Sequence, residues 1–226
     1  RQILVGTRFT EKEFGTRMHY LWLPDVFGYS WALPQILKKS GLNTFITTKI
    51  SWNECNQMPH DTFYWVGIDG TKILTHFITT PAASEEQGTW YYTYNGEMVP
   101  GAAAGIWNNY RNKDLTSKLL MAYGYGDGGG GGNREELEQR RISDRLPGLP
   151  RIRHGNGARY FKELQDKADS ASAYFPEWDG ELYLENHRGT YTSHAYNKWM
   201  NRRLEYLYRD TEWLAAMAAC SQGRLS

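Results

Sequence analysis

Asp25 is the first residue whose position suggests chemistry. It lies within residues 22–30, where the pattern indicates a strand end, a sharp turn and the start of a helix. Ligands of α/β folds bind where strands end, so a carboxylate at this point is a candidate catalytic or binding group. The plainer alternative is that Asp25 only shapes the turn, a position that Asp favours. Spacing alone leaves both interpretations open.

A second carboxylate, Asp127, lies inside the glycine-rich segment 124–132. This segment contains a G-x-G-x-x-G pattern between a predicted strand and a predicted helix, which is the context of a dinucleotide-binding loop. Asp144 has the spacing of the acid that such a site requires, but the residues before it are too polar for the required strand. We therefore favour a loop whose glycines let the backbone approach a ligand closely while presenting Asp127. A dinucleotide site and a merely flexible loop are the alternatives.

Two carboxylates on separate loops of an aromatic-rich chain indicate carbohydrate chemistry. The chain has nine Trp and sixteen Tyr, more than a core needs, and aromatic faces stack on ring-shaped ligands. A pair of carboxyl groups flanking one bond is the minimum equipment of a glycosidase, and Asp25 and Asp127 form the candidate pair. Glu54 and Asp69 are weaker candidates, because Glu54 lies in a polar stretch and Asp69 fits an Asp-Gly turn.

The spacing of histidine and cysteine does not establish a metal site. The six His residues form no H-E-x-x-H or other tight ligand pattern. Cys55 and Cys220 are the two cysteines, too few for a disulfide framework or a cysteine-rich zinc site. His187 lies between a strand-like run and a glycine turn, but a lone His is more often structural than a ligand. His76 could line a cleft, although a core or surface position is the plainer expectation.

Composition and charge restrict the class of protein. With 226 residues, 40% hydrophobic and 23% charged, the chain is globular in composition and has room for one domain or slightly more. A net charge of +1 provides no overall field for nucleic acid or an anionic membrane surface, so neither is an expected partner. No apolar run reaches the length of about eighteen residues that a transmembrane helix needs.

Hydrophobic periodicity predicts strands that alternate with helices, and hence an α/β structure with a mostly parallel sheet. The predicted strands cover residues 18–23, 43–48, 63–66, 73–77 and 118–123. Asp69-Gly70 predicts that the third and fourth of these form a hairpin. Predicted helices begin at Thr10, cover residues 29–39, follow the capping pair Asn133 and Glu136, and continue from residue 197. Residues 144–173 are weakly patterned.

The two ends of the sequence suggest a piece of a longer protein. The chain begins with apolar residues and without Met, no signal peptide is visible, and the long helix after residue 197 has no later partner. We expect this helix to open a second, helical domain.

Six segments together resemble the class II α-mannosidases of glycoside hydrolase family 38, the cytosolic and vacuolar subgroup most of all. They occur in the family's order over residues 15–205, and they are residues 22–30, 33–36, 49–53, 69–77, 125–131 and 180–193. The resemblance implies a retaining, metal-dependent α-mannosidase that hydrolyses terminal α-mannosyl linkages of oligosaccharides in the cytoplasm or a vacuole. The alternatives are an inactive fragment and a non-catalytic carbohydrate-binding protein. The resemblance also leaves open whether the full-length enzyme forms a homo-oligomer.

The resemblance also implies a fold and a domain division. The fold class is α/β, with a barrel-like (β/α) glycoside hydrolase domain that is incomplete in this chain and is followed by the start of a three-helix bundle. Residues 1–175 would be the catalytic domain, and residues 176–226 would begin the helical domain.

Roles for individual residues follow from the same resemblance. Asp25 matches the nucleophile, which is also a metal ligand, and Asp127 matches the general acid/base. Phe27 matches an aromatic residue at the sugar-binding position, and Lys49 lies where some members have an Arg near the nucleophile.

Two further substrate contacts are expected. Trp65 is a candidate aromatic face for the C–H groups of the sugar. His187 belongs to a segment that borders the cleft in the family, and it is expected to contact substrate.

The expected cofactor is Zn²⁺ or Co²⁺, one ion per active site. The family takes ligands from a His-x-Asp motif that is absent here, and from a His-Asp motif that His60-Asp61 does not match in position. Asp25 is therefore the one expected ligand in this chain, and the others are expected upstream of residue 1 and downstream of residue 226. Gly132 and Asn133 also replace the Pro-Thr that usually ends the family's glycine run.

Overall fold

The structure is a computed structural model that describes residues 1–82, 91–170 and 174–224. The chain divides into two compact units, Arg1–Asn186 and His187–Ser226. The strands lie in the first unit, and they are β1 (Tyr20–Trp22), β2 (Thr44–Thr47), β3 (Thr62–Val66), β4 (Lys72–Phe77) and β5 (Glu177–Asp179).

These strands form one mixed sheet in the order β1-β2-β4-β3-β5. The pairs β1–β2, β2–β4 and β3–β5 are parallel, and the β3–β4 hairpin is antiparallel. The predicted α/β class with a mostly parallel sheet is therefore confirmed. β1 and β5 are the edges, so the described strands form an open sheet, and the expected barrel-like closure stays a prediction.

The described helices belong to both units. They are α1 (Gln2–Phe14), α2 (Leu33–Lys39), α3 (Pro100–Asn109), α4 (Arg134–Ser143), α5 (Gly157–Asp169), α6 (Gly189–Thr192) and α7 (Ala195–Ser221), with a 3₁₀ helix at Lys49–Trp52. The predicted capping box of α4 is present, because Asn133 accepts from the Glu136 N–H and Glu136 accepts from the Asn133 N–H.

The core of the first unit lies under the middle of the sheet. All four residues of β2 are buried, as expected for a central parallel strand that is covered on both faces. Phe45 and Trp65 pack at 5.3 Å between ring centroids, and Leu37 of α2 and Leu182 belong to the same cluster. Burial of these side chains is the main stabilising contribution, at about 25 cal/mol per Å² of apolar surface.

Three predicted elements differ from the structure. α1 begins at Gln2 rather than at Thr10, whose hydroxyl donates to the Gly6 carbonyl within the helix instead of capping its start. Residues 118–123 form no strand, and Tyr123 makes an isolated bridge with Gly96. α5 occupies part of the weakly patterned stretch, with Asn156 accepting from the N–H groups of Ala158 and Arg159.

The boundary between the two compact units follows residue 186, whereas the predicted domain boundary follows residue 175. β5 follows residue 175 and pairs with β3, while Leu182 and Leu184 are buried in the core of the first unit. The segment 176–186 therefore belongs to the α/β unit.

The second unit consists of α6 and the long helix α7. α7 confirms the helix predicted from residue 197, and its apolar side chains, including Leu204, Leu214 and Met217, are exposed. No helix in the described part of the chain is both long and apolar enough to span a membrane. The start of a three-helix bundle stays a prediction.

Candidate active site

Asp25 and Lys49 meet at one edge of the sheet. Asp25 follows β1 and Lys49 follows β2, and these strands are parallel with Trp22 opposite Ile46, so the residues after them emerge together. Lys49 Nζ lies 2.8 Å from Asp25 Oδ1. The Lys49 side chain is 12% exposed and that of Asp25 is 33% exposed, so solvent screens this ion pair only in part.

The environment of Asp25 Oδ1 is unusual for a carboxylate oxygen. The atom is buried and makes no hydrogen bond of acceptable geometry with the described residues. The Lys49 ammonium is at contact distance but poorly aligned, so the ion pair is mainly electrostatic. A buried acceptor with spare capacity is open to a further donor or to a cation.

Aromatic rings surround the Lys49 ammonium. Nζ lies 3.6 Å from the centroid of the Trp52 ring and 5.6 Å from that of Phe27. These contacts hold the ammonium in place through the negative face of each ring. Trp52 was not predicted as a site residue, although its position three residues after Lys49 in the 3₁₀ helix brings both to one face.

Tyr94 joins the two candidate carboxylates. Its hydroxyl lies 3.2 Å from Asp127 Oδ1, to which it donates, and it also interacts with the Asp25 side chain. Tyr94 thus lies close to both candidate carboxylates. Burial, the charge of Asp25 and the hydrogen bond to Asp127 raise the pKa of Tyr94 to about 12, so its proton is retained at neutral pH.

Asp127 has a backbone conformation set by the glycine loop. Its φ is +56°, in the left-handed region that non-glycine residues rarely adopt. The loop is closed by two hydrogen bonds between the backbones of Tyr125 and Gly131. Gly126 packs so closely on Asn95 that a Cβ atom there would lie 1.8 Å from Asn95 Oδ1. A side chain at position 126 would clash with Asn95, so the backbone path that leads to Asp127 requires glycine there.

Part of this group lines one small hollow of about 80 Å³. Its walls include Lys49, Trp52, Tyr94, Asn95 and Asp127. Lys49 and Asp127 thus meet at this hollow although they are distant in the sequence, and Asp25 and Phe27 both contact Lys49. Tyr94 was not among the predicted site residues, and no local pattern of its segment singles it out.

A group of hydrogen bonds, here called the Glu185 clamp, fixes the segment after the 3₁₀ helix. Glu185 accepts from the N–H groups of Glu54, Cys55 and Asn56 at 2.8, 3.0 and 2.7 Å, and from the Asn56 side chain at 2.6 Å. The hydrogen bond from the Cys55 N–H is the largest of the causes that lower the pKa of Glu185. Asn186 donates to the Trp52 carbonyl, so the clamp reaches the element that carries Lys49.

Two other predicted residues lie elsewhere. Trp65 is fully buried, and its indole N–H donates to the Gly180 carbonyl at 2.7 Å, so the expectation that it contacts a sugar is corrected to a core role. His187 is an exposed residue of the second unit with φ +60°, and its role stays a prediction.

His76 belongs to the core of the first unit. It is 1% exposed, with Nδ1 2.9 Å from the Thr62 hydroxyl and Nε2 3.3 Å from the Tyr160 hydroxyl. Burial lowers the pKa of His76 to about 3, which keeps the ring neutral. The plainer expectation of a core position therefore holds.

The described residues do not form a metal site by themselves. Among residues 1–82, 91–170 and 174–224, no group of three or more His, Cys, Asp or Glu side chains is arranged to hold an ion. Asp25 Oδ1 is available as a metal ligand, but a zinc site takes about four ligands. The residues present thus fit one ligand of such a site and not a complete set.

An α/β sheet that brings carboxylates to one hollow is compatible with a domain of the glycoside hydrolase class. The chain belongs to glycosyl hydrolases family 38, since the profile of the family's N-terminal domain matches residues 1–181. The family predicted from the sequence is therefore confirmed.

Similar proteins carry α-mannosidase names. Alpha-mannosidase G of Dictyostelium discoideum is 41% identical over 216 residues, which are 96% of this chain and 18% of that protein. Alpha-mannosidase 2C1 of Homo sapiens is 38% identical over 218 residues, 96% of this chain and 20% of that protein. Alpha-mannosidase of Saccharomyces cerevisiae is 38% identical over 221 residues, 96% of this chain and 19% of that protein. The chain spans about a fifth of the length of these relatives.

A solved structure shares the fold. The crystal structure of an alpha-mannosidase from Enterococcus faecalis superposes with a TM-score of 0.56 and 19% identity, over 80% of this chain and 20% of that one.

Proposed function

We propose that this chain is part of a retaining, metal-dependent α-mannosidase that removes terminal α-mannosyl residues from oligosaccharides. Membership of family 38 and the names of the relatives support the α-mannosidase activity. The observation that carries the proposal is that Lys49, which is ion-paired with Asp25, lines the same hollow as Asp127.

The two carboxylates would divide the reaction between them. Asp25 attacks the anomeric carbon, and Asp127 protonates the leaving oxygen and then activates water. Retaining enzymes place their carboxyl groups about 5 Å apart and inverting enzymes about 6.5–9.5 Å apart.

The neighbouring residues would orient this pair. The Lys49 ammonium holds the Asp25 carboxylate from one side, and Trp52 and Phe27 hold the ammonium. Phe27 also offers an apolar face to the sugar. Tyr94, which keeps its proton, fixes Asp127 by donation.

We propose Zn²⁺ or Co²⁺ as the cofactor, with Asp25 as one ligand and the remaining ligands from outside this stretch of chain. When bound, such an ion binds sugar hydroxyls and acts as a template that orients the substrate. The spare capacity of the buried Asp25 Oδ1 supports this assignment. His187 as a substrate contact, the barrel-like closure and a cytoplasmic or vacuolar location are further parts of the proposal.

The proposed roles are tested by variants of the full-length enzyme. Asp25→Asn should abolish turnover of every α-mannoside. Asp127→Ala should slow an aryl mannoside with a poor leaving group by about 10²-fold or more, yet retain much of the activity on a dinitrophenyl mannoside, which needs no acid. Azide should then accelerate the Asp127→Ala variant and give α-mannosyl azide.

Matched controls make this test specific. Asp69→Asn changes an exposed turn carboxylate of the same unit and should leave the turnover of both substrates unchanged. Full activity of Asp25→Asn, or equal losses of Asp127→Ala on both aryl substrates, would remove the respective residue from its role. An inactive wild-type enzyme with normal sugar affinity would favour the non-catalytic carbohydrate-binding alternative.

A further inference from the structure

A second and larger cavity adjoins the hollow of the candidate site. It has a volume of about 360 Å³, within the range of about 300–1,000 Å³ that is typical of small-molecule sites. The two cavities share Asn95, and Gly126 of the larger one precedes Asp127 of the smaller one. The larger cavity therefore adjoins the loop that carries Asp127, the residue proposed as the general acid.

The walls of this cavity combine an aromatic ring with hydrogen-bonding side chains. They include Asn95, Glu97, Tyr125, Glu135 and Gln139. Tyr125 is 67% exposed while its backbone is fixed by Gly131, so its ring is available on a defined support. Amides and carboxylates that accept from hydroxyls, beside an aromatic face, are suited to a sugar.

The charge of the cavity is one-sided. Glu97, Glu135 and Glu136 are among the lining residues, and none of the described lining residues is Lys, Arg or His. Glu136 is held in the capping box of α4, and Glu135 accepts from Gln139 at 3.4 Å. An anionic group placed here would meet several carboxylates without a cation to offset them, and such like-charge contacts are unfavourable.

The position of the acid decides which part of a substrate could occupy this space. A general acid must contact the oxygen of the bond that breaks, so the leaving group lies on its side of the site. The Asp127 loop forms part of this cavity through Gly124, Tyr125 and Gly126.

We propose that this cavity is the subsite for a neutral leaving-group sugar, with Tyr125 as its stacking face, and that its carboxylates select against anionic leaving groups. The proposal rests on the proposed α-mannosidase function. A metal ion is not the favoured occupant, because the described residues include no cluster of three ligands.

The stacking face is tested in the full-length enzyme with two substrates. One is α-1,2-linked mannobiose, whose leaving sugar would fill the subsite, and the other is α-mannosyl fluoride, whose leaving group is a single atom. Tyr125→Ala should lower the ratio of kcat/KM for mannobiose to kcat/KM for the fluoride by about threefold to tenfold. Gln139→Ala should lower the same ratio and provides a second, independent variant.

Tyr174→Ala is the matched control, because Tyr174 is an 81% exposed tyrosine of the same unit that does not line the cavity. It should leave the ratio unchanged. An unchanged ratio in both Tyr125→Ala and Gln139→Ala would overturn the subsite while leaving the α-mannosidase function intact. A wild-type enzyme that does not hydrolyse the fluoride would overturn both.

The charge selection has its own readout. Wild-type enzyme should hydrolyse mannobiose phosphorylated at O6 of its reducing sugar at least about tenfold less efficiently than mannobiose. The double variant Glu97→Gln, Glu135→Gln should recover part of that difference, most clearly at low ionic strength where screening is weak. Equal efficiency of the wild type on the two disaccharides, or no recovery in the double variant, would overturn the charge selection.

Discussion

At the scale of single residues, the two candidate carboxylates have neighbours of different kinds. Asp25 contacts a cation at 2.8 Å, and Asp127 accepts from a neutral phenol at 3.2 Å. A nucleophile benefits from remaining charged, whereas an acid/base must gain and lose a proton. The cation that contacts Asp25 and the neutral donor to Asp127 would give the two groups the different environments that the proposed roles need.

The Tyr94 hydroxyl is the most specific test at this scale. Tyr94→Phe removes the hydrogen bond to Asp127 and leaves the ring in place. Because a hydrogen bond to a charged group contributes about 1.5–3 kcal/mol, kcat should fall by about tenfold to a hundredfold with little change in KM. Steady-state kinetics on an aryl α-mannoside checks this.

Tyr91→Phe is the matched control for Tyr94→Phe. Tyr91 lies in the same segment, and its hydroxyl donates to Glu54 at 3.1 Å rather than to Asp127. Its kcat should stay within about twofold of wild type. A Tyr94→Phe enzyme as active as the control would mean that the shared hydroxyl has no part in the reaction.

The sequence predicted some of these residues and missed others for physical reasons. Asp25 follows a predicted strand and Asp127 stands out among glycines, so each had a local signal, whereas Lys49 was predicted from the family resemblance. Tyr94 had none, since its contact with Asp127 depends on how two loops meet. Trp65 was misassigned, because an aromatic residue of a strand has the same sequence signature whether its ring faces the core or a ligand.

At the scale of elements, the Glu185 clamp connects the end of the first unit to the 3₁₀ helix of Lys49. Its carboxylate oxygens accept from three consecutive backbone N–H groups that follow that helix. The clamp thus replaces the regular secondary structure that residues 54–56 lack.

Removal of the clamp should loosen residues 54–56. In Glu185→Ala, the amide hydrogens of Cys55 and Asn56 should exchange at least about tenfold faster than in wild type. Glu185→Gln should be intermediate, and Glu181→Ala, which changes a neighbouring exposed carboxylate, should have no effect. Because hydrogen bonds lower the pKa of Glu185, protection should be complete above about pH 4.3 and be lost as pH falls further. Unchanged exchange in Glu185→Ala would contradict the clamp.

His76 on β4 makes the stability of the sheet depend on pH. Its pKa is lowered to about 3 in the folded protein, against about 6.5 when unfolded, so the unfolded chain binds a proton in this range that the folded chain does not. Stability should therefore decrease as pH falls below about 6.5. The buried Asp61, whose pKa is raised to about 6 by burial, acts in the opposite direction.

Comparison with a variant isolates the contribution of His76. In His76→Gln, the slope of the unfolding free energy against pH, between about pH 4.5 and 6, should be smaller by up to about 1.4 kcal/mol per pH unit. Denaturant unfolding at several pH values measures this slope. Identical slopes for wild type and variant would show that His76 does not stay neutral on folding.

At the scale of elements, those whose defining residues are close together in the sequence were predicted well. The β3–β4 hairpin has its Asp-Gly turn, and α4 has its capping box. Residues 118–123 have an apolar pattern but bridge only through Tyr123 and Gly96, because strand formation requires a partner that the pattern does not specify. α5 was missed because residues 144–173 have only a weak hydrophobic pattern.

At the scale of the whole molecule, both candidate catalytic carboxylates lie within one unit, Arg1–Asn186. Composition and charge excluded classes of protein, and a set of motifs in order identified the family. The unit boundary was not predictable, because β5 is three residues long and joins the sheet beside a strand that is distant in the sequence. The chain spans about a fifth of its relatives, so activity is a property to measure on the full-length enzyme.

The most direct measurement identifies the carboxylate that bonds to the sugar. The full-length enzyme is incubated with 5-fluoro-α-mannosyl fluoride, a slow substrate whose glycosyl-enzyme intermediate accumulates, and its peptides are analysed by mass spectrometry. We predict a fluoromannosyl group on the peptide that contains Asp25, and no labelled peptide from the Asp25→Asn variant. A label on Asp127 or on any other carboxylate, or an active enzyme that never becomes labelled, would contradict the assignment of Asp25 as the nucleophile.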